Sequence, residues 1–340
     1  MRDTTSYMLE DAIHARQDRT GHFRRGFDYL KQNAIKGTLL GRRYRFHWNI
    51  NLYVELASWC NGKCWFCINR VNYRQDDTSD DRFVASFEKA VQQVRFLDPT
   101  VQLAGGEPTI LPDRTRAVLD IICKYRLRKP VMTCNGSGLV RDQGLLDSLA
   151  PVLDHLNISR HHDDHDHLGA LMGFKNPLDN VLLAEIVRDH PIGEKLRLNC
   201  CLQVGGIETA VDVRRYLDWA LDMGVRNVCF STLSRLPGDY MYQEEFVRLA
   251  KERYVDIGPV VDAITCDPRF TFTKFHTGSH CMYEIWQYAR GDRSCVVVFA
   301  TSDNNFARDL DDVDDLIELF VLHADGVLAG SWNRHRKVVA

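Results

Sequence analysis

From residue 49 onward one pattern repeats: a short apolar, β-prone run, then a segment with apolar residues at helical spacing. The runs fall at 51–57, 101–104, 130–134, 154–159, 196–204 and 225–232. Between the first two, Phe83, Phe87, Ala90, Val91 and Val94 recur at three- and four-residue steps, the spacing of one helix face. Ser79 or Asp80 is placed to cap that helix and Pro99 lies beyond its end. Further helices are expected over 113–127, 142–152 and 178–190. Another is expected around Val213, Tyr216, Leu217, Ala220 and Leu221, ended by Gly224. Strands that alternate with helices pair in parallel, because each crossover returns the chain to the same end of the sheet. The expected class is α/β, a parallel sheet covered by helices, and in such sheets functional groups collect at the C-terminal ends of the strands.

The flanks read differently. Residues 1–48 are basic and carry scattered aromatic residues, which suggests one or two short helices leading into a core over 49–240. Residues 241–340 suggest an extension that closes one side or the bottom of the barrel, with a helix over 243–256 and strands over 270–275, 295–300 and 316–322. Asp325-Gly326 signals a hairpin turn, and the acidic run 309–315 a solvated loop or helix start. With 43 Lys and Arg against 46 Asp and Glu, the net charge of −3 argues against a general nucleic-acid surface. No apolar stretch approaches ~18 residues, so no membrane helix is expected. Eleven cysteines without a secretory signal suit a reducing, cytoplasmic setting.

Directly after the first strand stand Cys60, Cys64 and Cys67, spaced C-x3-C-x2-C. Three thiolates on one tight loop can hold three irons of a cubane [4Fe–4S] cluster, and with no fourth cysteine close by the last iron is left for a ligand that is not protein. Zinc is the competing reading, but no histidine falls inside the loop to complete a closed site. Zinc would also leave unexplained a second motif, Gly105-Gly106-Glu107-Pro108, which ends the second strand.

Together the two motifs resemble the signature of the radical S-adenosylmethionine (radical SAM) superfamily, most of all its molybdopterin GTP cyclase and viperin-like branch. The resemblance implies a partial (β/α)6 barrel and a [4Fe–4S] cluster on Cys60, Cys64 and Cys67 that chelates S-adenosylmethionine (SAM). It also implies reductive cleavage of SAM to a 5′-deoxyadenosyl radical. Phe66 matches the aromatic position near adenine, and Gly105, Gly106 and Glu107 the turn around the SAM amino group. Asn135, in Thr133-Cys134-Asn135-Gly136, with Ser159 and Asn199, matches strand-end positions that contact SAM.

Arg160 and His161 follow the fourth strand and are expected to face the substrate, a guanidinium there suiting a carboxylate or phosphate. His161 to His167 has the composition of a metal tract, but Asp163 to Asp166 also suit a helix cap. Cys266, Cys281 and Cys295 lack the paired spacing of an auxiliary cluster. The expectation is a radical SAM enzyme acting on a small, polar, anionic substrate, a nucleoside or sugar nucleotide of natural-product biosynthesis, by rearrangement or C–C bond formation. Its electron donor would be a flavodoxin or ferredoxin. Modification of a peptide, or a non-catalytic cluster- or zinc-binding relative, is the alternative.

Overall fold

The computed structural model describes residues 8–67, 78–174, 176–233, 244–278 and 280–339. The boundary expected at 240–241 and the helix start expected at 243 lie outside them. Helices α1 (Leu9–Gln17) and α2 (Arg19–Asn33) lead into strands β1 (Ile35–Leu39) and β2 (Arg42–Glu55). The core continues as α3 (Asp80–Val94), β3 (Thr100–Ala104), α4 (Pro112–Tyr125), β4 (Arg128–Cys134), α5 (Gly144–Leu149) and β5 (His155–Ser159). It runs on through α6 (His165–Met172), α7 (Asn180–Asp189), β6 (Leu196–Leu202), α8 (Ala210–Asp222) and β7 (Asn227–Thr232). Then come α9 (Glu244–Glu252), α10 (Ile257–Thr265), β8 (Phe270–Thr277), β9 (Cys281–Arg290), β10 (Arg293–Ser302), α11 (Asn304–Asp311), β11 (Leu316–Leu322) and β12 (Leu328–Ala329).

The strands form one sheet in the order β12-β11-β2-β3-β4-β5-β6-β7-β10-β9-β8, with β1 hairpinned onto β2. Strands β2 to β7 are parallel, the six-unit partial barrel expected from the alternation. The C-terminal strands divide between its two edges. β10 joins β7 in parallel and carries β9 and β8, while β11 joins β2 in parallel and carries β12. The lead-in also departs from a purely helical reading, because residues 35–39 are strand and β2 begins at Arg42. Leu40 at φ 50° and Gly41 at φ 80° make the turn between them, a conformation that leucine does not advertise.

Alternation sorts the two faces of the sheet. Leu52, Val54, Leu103, Met132, Leu156 and Leu198 pack with Phe83, Phe87, Ile122 and Leu217 of the covering helices in one core. Each such buried side chain contributes about 1.5–3 kcal/mol. The intervening residues share the other, inner face. Register sets Thr133 beside Asn157 and Asn157 beside Arg197. One level higher it sets Ser159, Asn199 and Cys229 side by side, and then Cys201 beside Ser231. The inner face is polar.

The two ends of the described chain meet. Ala12, Ala15 and Phe23 pack against Phe275, Met282 and Phe306. Arg16 of α1 is buried in ion pairs with Glu284 of β9 and, at 2.8 Å, with Asp262 of α10.

Candidate active site

The loop that carries Cys60, Cys64 and Cys67 leaves the C-terminal end of β2 and is gripped on three sides. The first grip is Gly105-Gly106. The Gly106 amide donates to Ala57 O at 2.7 Å and the Glu107 amide to Trp59 O at 3.0 Å. A Cβ on Gly106 would stand 1.7 Å from Trp59 O, and Gly105 sits at φ 116° with Ala57 O 2.7 Å from its Cβ position. Only residues without side chains let these backbones approach so closely. The second grip is the turn after β4. Asn135 Nδ2 donates to Cys60 Sγ at 3.6 Å and to Asn61 Oδ1 at 2.9 Å, and Asn61 Nδ2 donates to Ser137 Oγ at 2.8 Å. The third is the end of α6, where Met172 O accepts from the Lys63 amide at 2.8 Å and from the Cys64 thiol at 3.6 Å.

Glu107 ties the first grip to the second. Its carboxylate is buried and accepts from the Thr109 amide at 3.0 Å, from the Thr109 hydroxyl, and from the Asn135 amide at 2.6 Å. Thr109 Oγ1 in turn accepts from the Gly138 amide at 2.9 Å. Burial raises the Glu107 pKa to about 7, against the pull of those hydrogen bonds. Here Glu107 shapes the turn, its oxygens engaged by backbone and hydroxyl donors.

The three thiols suit a cationic cluster. All eleven cysteines are thiols, and none is in a disulfide. Burial, and then the neighbouring Cys67 and Cys60, push the Cys64 thiol well up, so thiolates there call for positive charge. Cys60 Sγ accepts from the Gly62 amide at 3.3 Å and from Asn135, and its thiol donates to Asn61 Oδ1 at 3.8 Å. Among the described residues no three His, Cys, Asp or Glu side chains are arranged around a single metal ion.

Phe66 packs edge-on against His161, with ring centroids 4.7 Å apart. His161 is buried on the inner side, and its Nδ1 accepts from the Cys201 amide at 3.2 Å. Burial lowers its pKa to about 4, so the ring is neutral at pH 7 and carries its proton on Nε2. Ser159 and Asn199 lie side by side on the inner face, and among the described residues Asn199 Oδ1, which is buried, has no hydrogen-bond partner.

Arg160 is placed differently from its expected substrate-facing position. One residue past Ser159, it turns into the helical layer, where its guanidinium donates to Leu178 O and Asn180 Oδ1 and lies 5.2 Å over the Trp219 ring. Tyr216 OH holds its carbonyl at 2.8 Å. The histidine-rich run is a helix start: Asp164 Oδ1 caps α6 through the His167 amide at 2.8 Å, and His162 stacks on His167 at 4.4 Å.

Residues 54–193 match the family described as the radical SAM superfamily. This segment is a radical SAM superfamily domain. No curated protein matches the chain. Among solved structures it is similar to Streptococcus suis SuiB bound to S-adenosylmethionine, at 17% identity over 78% of this chain and 53% of that one, with a TM-score of 0.46. It is also similar to BtrN in complex with AdoMet and 2-DOIA, at 17% identity over 44% of this chain and 56% of that one, with a TM-score of 0.34. A third is anSMEcpe with bound AdoMet and Kp18Cys peptide, at 14% identity over 54% of this chain and 51% of that one, with a TM-score of 0.40. The chain spans about half the length of each of these structures.

Sequence reasoning missed two features of this end of the barrel. Asn61, inside the cysteine loop, is the link to the β4 turn, and only its place between Cys60 and Gly62 hinted at a structural duty. Glu55, at the end of β2, pairs with His323, just past β11, at 3.0 Å. Both are buried, and His323 Nε2 has no hydrogen-bond partner. Nothing local in the sequence joins residues so far apart.

Proposed function

We propose that this radical SAM enzyme holds a [4Fe–4S] cluster on Cys60, Cys64 and Cys67, binds SAM at the barrel mouth, and acts on a small, polar, anionic molecule. A nucleoside or sugar nucleotide of natural-product biosynthesis is the favoured class. The observation that carries the reading is the cysteine loop, gripped from β3, β4 and α6 at the C-terminal mouth of a barrel with a polar interior. Cys60, Cys64 and Cys67 would hold the cluster, which would supply one-electron reductive cleavage of SAM and, through it, hydrogen-abstraction chemistry.

The chain's own residues do the positioning. Asn135 and Gly62 support the Cys60 sulfur, and Glu107 locks the turn beside it, which holds the cysteine loop in place at the mouth. His161, neutral and buried, presents an N–H beneath Phe66. Phe66 and Trp65, the latter 5.0 Å from the Arg253 guanidinium, add apolar cover that keeps water from the reaction.

Oxygen-free reconstitution followed by iron analysis and a 5′-deoxyadenosine assay with reductant tests this reading. About four irons per chain and release of 5′-deoxyadenosine are expected. Cys64→Ala should abolish release, and retained release would place the cluster elsewhere.

A further inference from the structure

Among the described residues Arg197 makes no side-chain hydrogen bond and no ion pair, and its Nε is buried without a partner. The Nε atoms of Arg16, Arg19 and Arg160 are also buried without a partner, but the terminal nitrogens of these three are engaged and those of Arg197 are not. Arg16, Arg114 and Arg160 are buried, and each is held by two or more partners. Arg197 stands on the inner face of β6, between Leu196 and Leu198, which pack into the helix-side core. Asn157 is its registered neighbour on β5. Cys229 of β7 lies close as well, its thiol pushed up by burial and drawn back by the Arg197 charge.

Asn157 donates its amide to Thr133 Oγ1 at 3.0 Å, which leaves its Oδ1, like that of Asn199, buried and unpartnered. One positive charge without a counter-charge and two acceptors without donors therefore share one patch of the interior. A folded protein tolerates that combination where a ligand completes it. The complement is an oxyanion for the guanidinium, on a molecule whose hydroxyl or amino groups reach the two amide oxygens.

Arg197 lies one step below the cofactor mouth. It is level with Asn157 and Thr133, two residues before Ser159 and Asn135, or about 7 Å along the strand at ~3.3 Å per residue, while Asn199 is level with Ser159.

We infer that Arg197 receives the oxyanion of the substrate, a small hydroxylated or aminated molecule carrying a phosphate or a carboxylate, while Asn157 and Asn199 accept from its hydroxyl or amino groups through their Oδ1 atoms. The inference rests on the function proposed above and moves the anion contact from Arg160 to Arg197.

Inorganic phosphate and acetate are the probes, titrated by calorimetry into the full chain, reconstituted without oxygen and saturated with SAM. At least one should bind in the millimolar range, and the stronger one names the anion. Arg197→Met should weaken that binding tenfold or more and Arg197→Lys by less, with SAM affinity within twofold of the parent in both. Arg197 is half-buried and has no partner to lose among the described residues, so Arg197→Met should melt no lower than the parent. Four results would each overturn the inference. The parent binds neither probe, or Arg197→Met binds the probe as the parent does. The variant loses SAM affinity tenfold while keeping the probe, which would make the anion SAM's own carboxylate. Or it melts lower than the parent, which would make Arg197 structural. Any of these with 5′-deoxyadenosine release intact removes the oxyanion site alone. Absence of release from the parent removes the proposed function instead.

Discussion

The mouth of the barrel and its interior are both polar, but they are finished to different degrees. At the mouth Glu107, Asn135, Asn61, Ser137 and Thr109 satisfy one another through a closed set of hydrogen bonds. A few residues down the same strands, Asn157, Arg197 and Asn199 keep buried atoms without partners. A network that is complete in itself rigidifies what it touches, and one that is incomplete awaits a ligand. The mouth supports the cysteine loop, and the interior is left for a guest.

If the mouth is self-supporting, small changes there should be severe. Gly106→Ala should have the largest effect, because its Cβ meets Trp59 backbone, which no rotamer change relieves. Reconstituted iron should fall from about four per chain to below one, and 5′-deoxyadenosine release by a hundredfold or more. Normal iron in this variant would break the comparison at once.

Glu107→Gln comes next. Glutamine must turn an NH2 toward donors that now point at a carboxylate, at a cost of about 1–3 kcal/mol. The substitution should also change the pH profile. Glu107, raised from 4.5 to about 7, binds protons more tightly folded than unfolded. Its contribution is therefore full below pH 4.5 and is lost as pH rises through 7. Denaturant titrations from pH 4.5 to 7 should show this loss in the parent and not in the variant.

His161→Gln should be the mildest. His161, lowered from 6.5 to about 4, holds protons less tightly folded, so its contribution is present above pH 6.5 and lost as pH falls through 4. The two slopes oppose each other between pH 4.5 and 6.5. Each variant should unmask the other's slope, and parallel profiles would show that the two groups are not the buried pair described.

The sequence was most legible where covalent spacing does the work. The cysteine loop and the Gly-Gly-Glu-Pro turn can be read as written, and apolar alternation foretold β2 to β7. Faces were harder. Ser159 and Arg160 were both expected to line the site, yet adjacent strand residues point to opposite sides. Arg197, in step with Ser159 through Asn199, was the arginine whose parity matched. The strands at 35–39 and 281–290 went unread for a related reason. Their burial alternates, and Leu40 takes a left-handed backbone that leucine does not advertise, while Gly291-Asp292, between β9 and β10, is a turn signal that went unread with them. The Glu55–His323 contact depends on which edge of the sheet accepts β11, a decision of the whole fold.

That last pairing has a consequence during synthesis. β11 lies parallel to β2, yet some 260 residues separate the end of one from the start of the other. At about 5–20 residues per second, a ribosome leaves that flank of β2 uncovered for on the order of tens of seconds. Its exposed amides and carbonyls are then open to a neighbouring nascent chain. The yield of intact protein from cells should accordingly improve when elongation outpaces such encounters or a chaperone shields the strand.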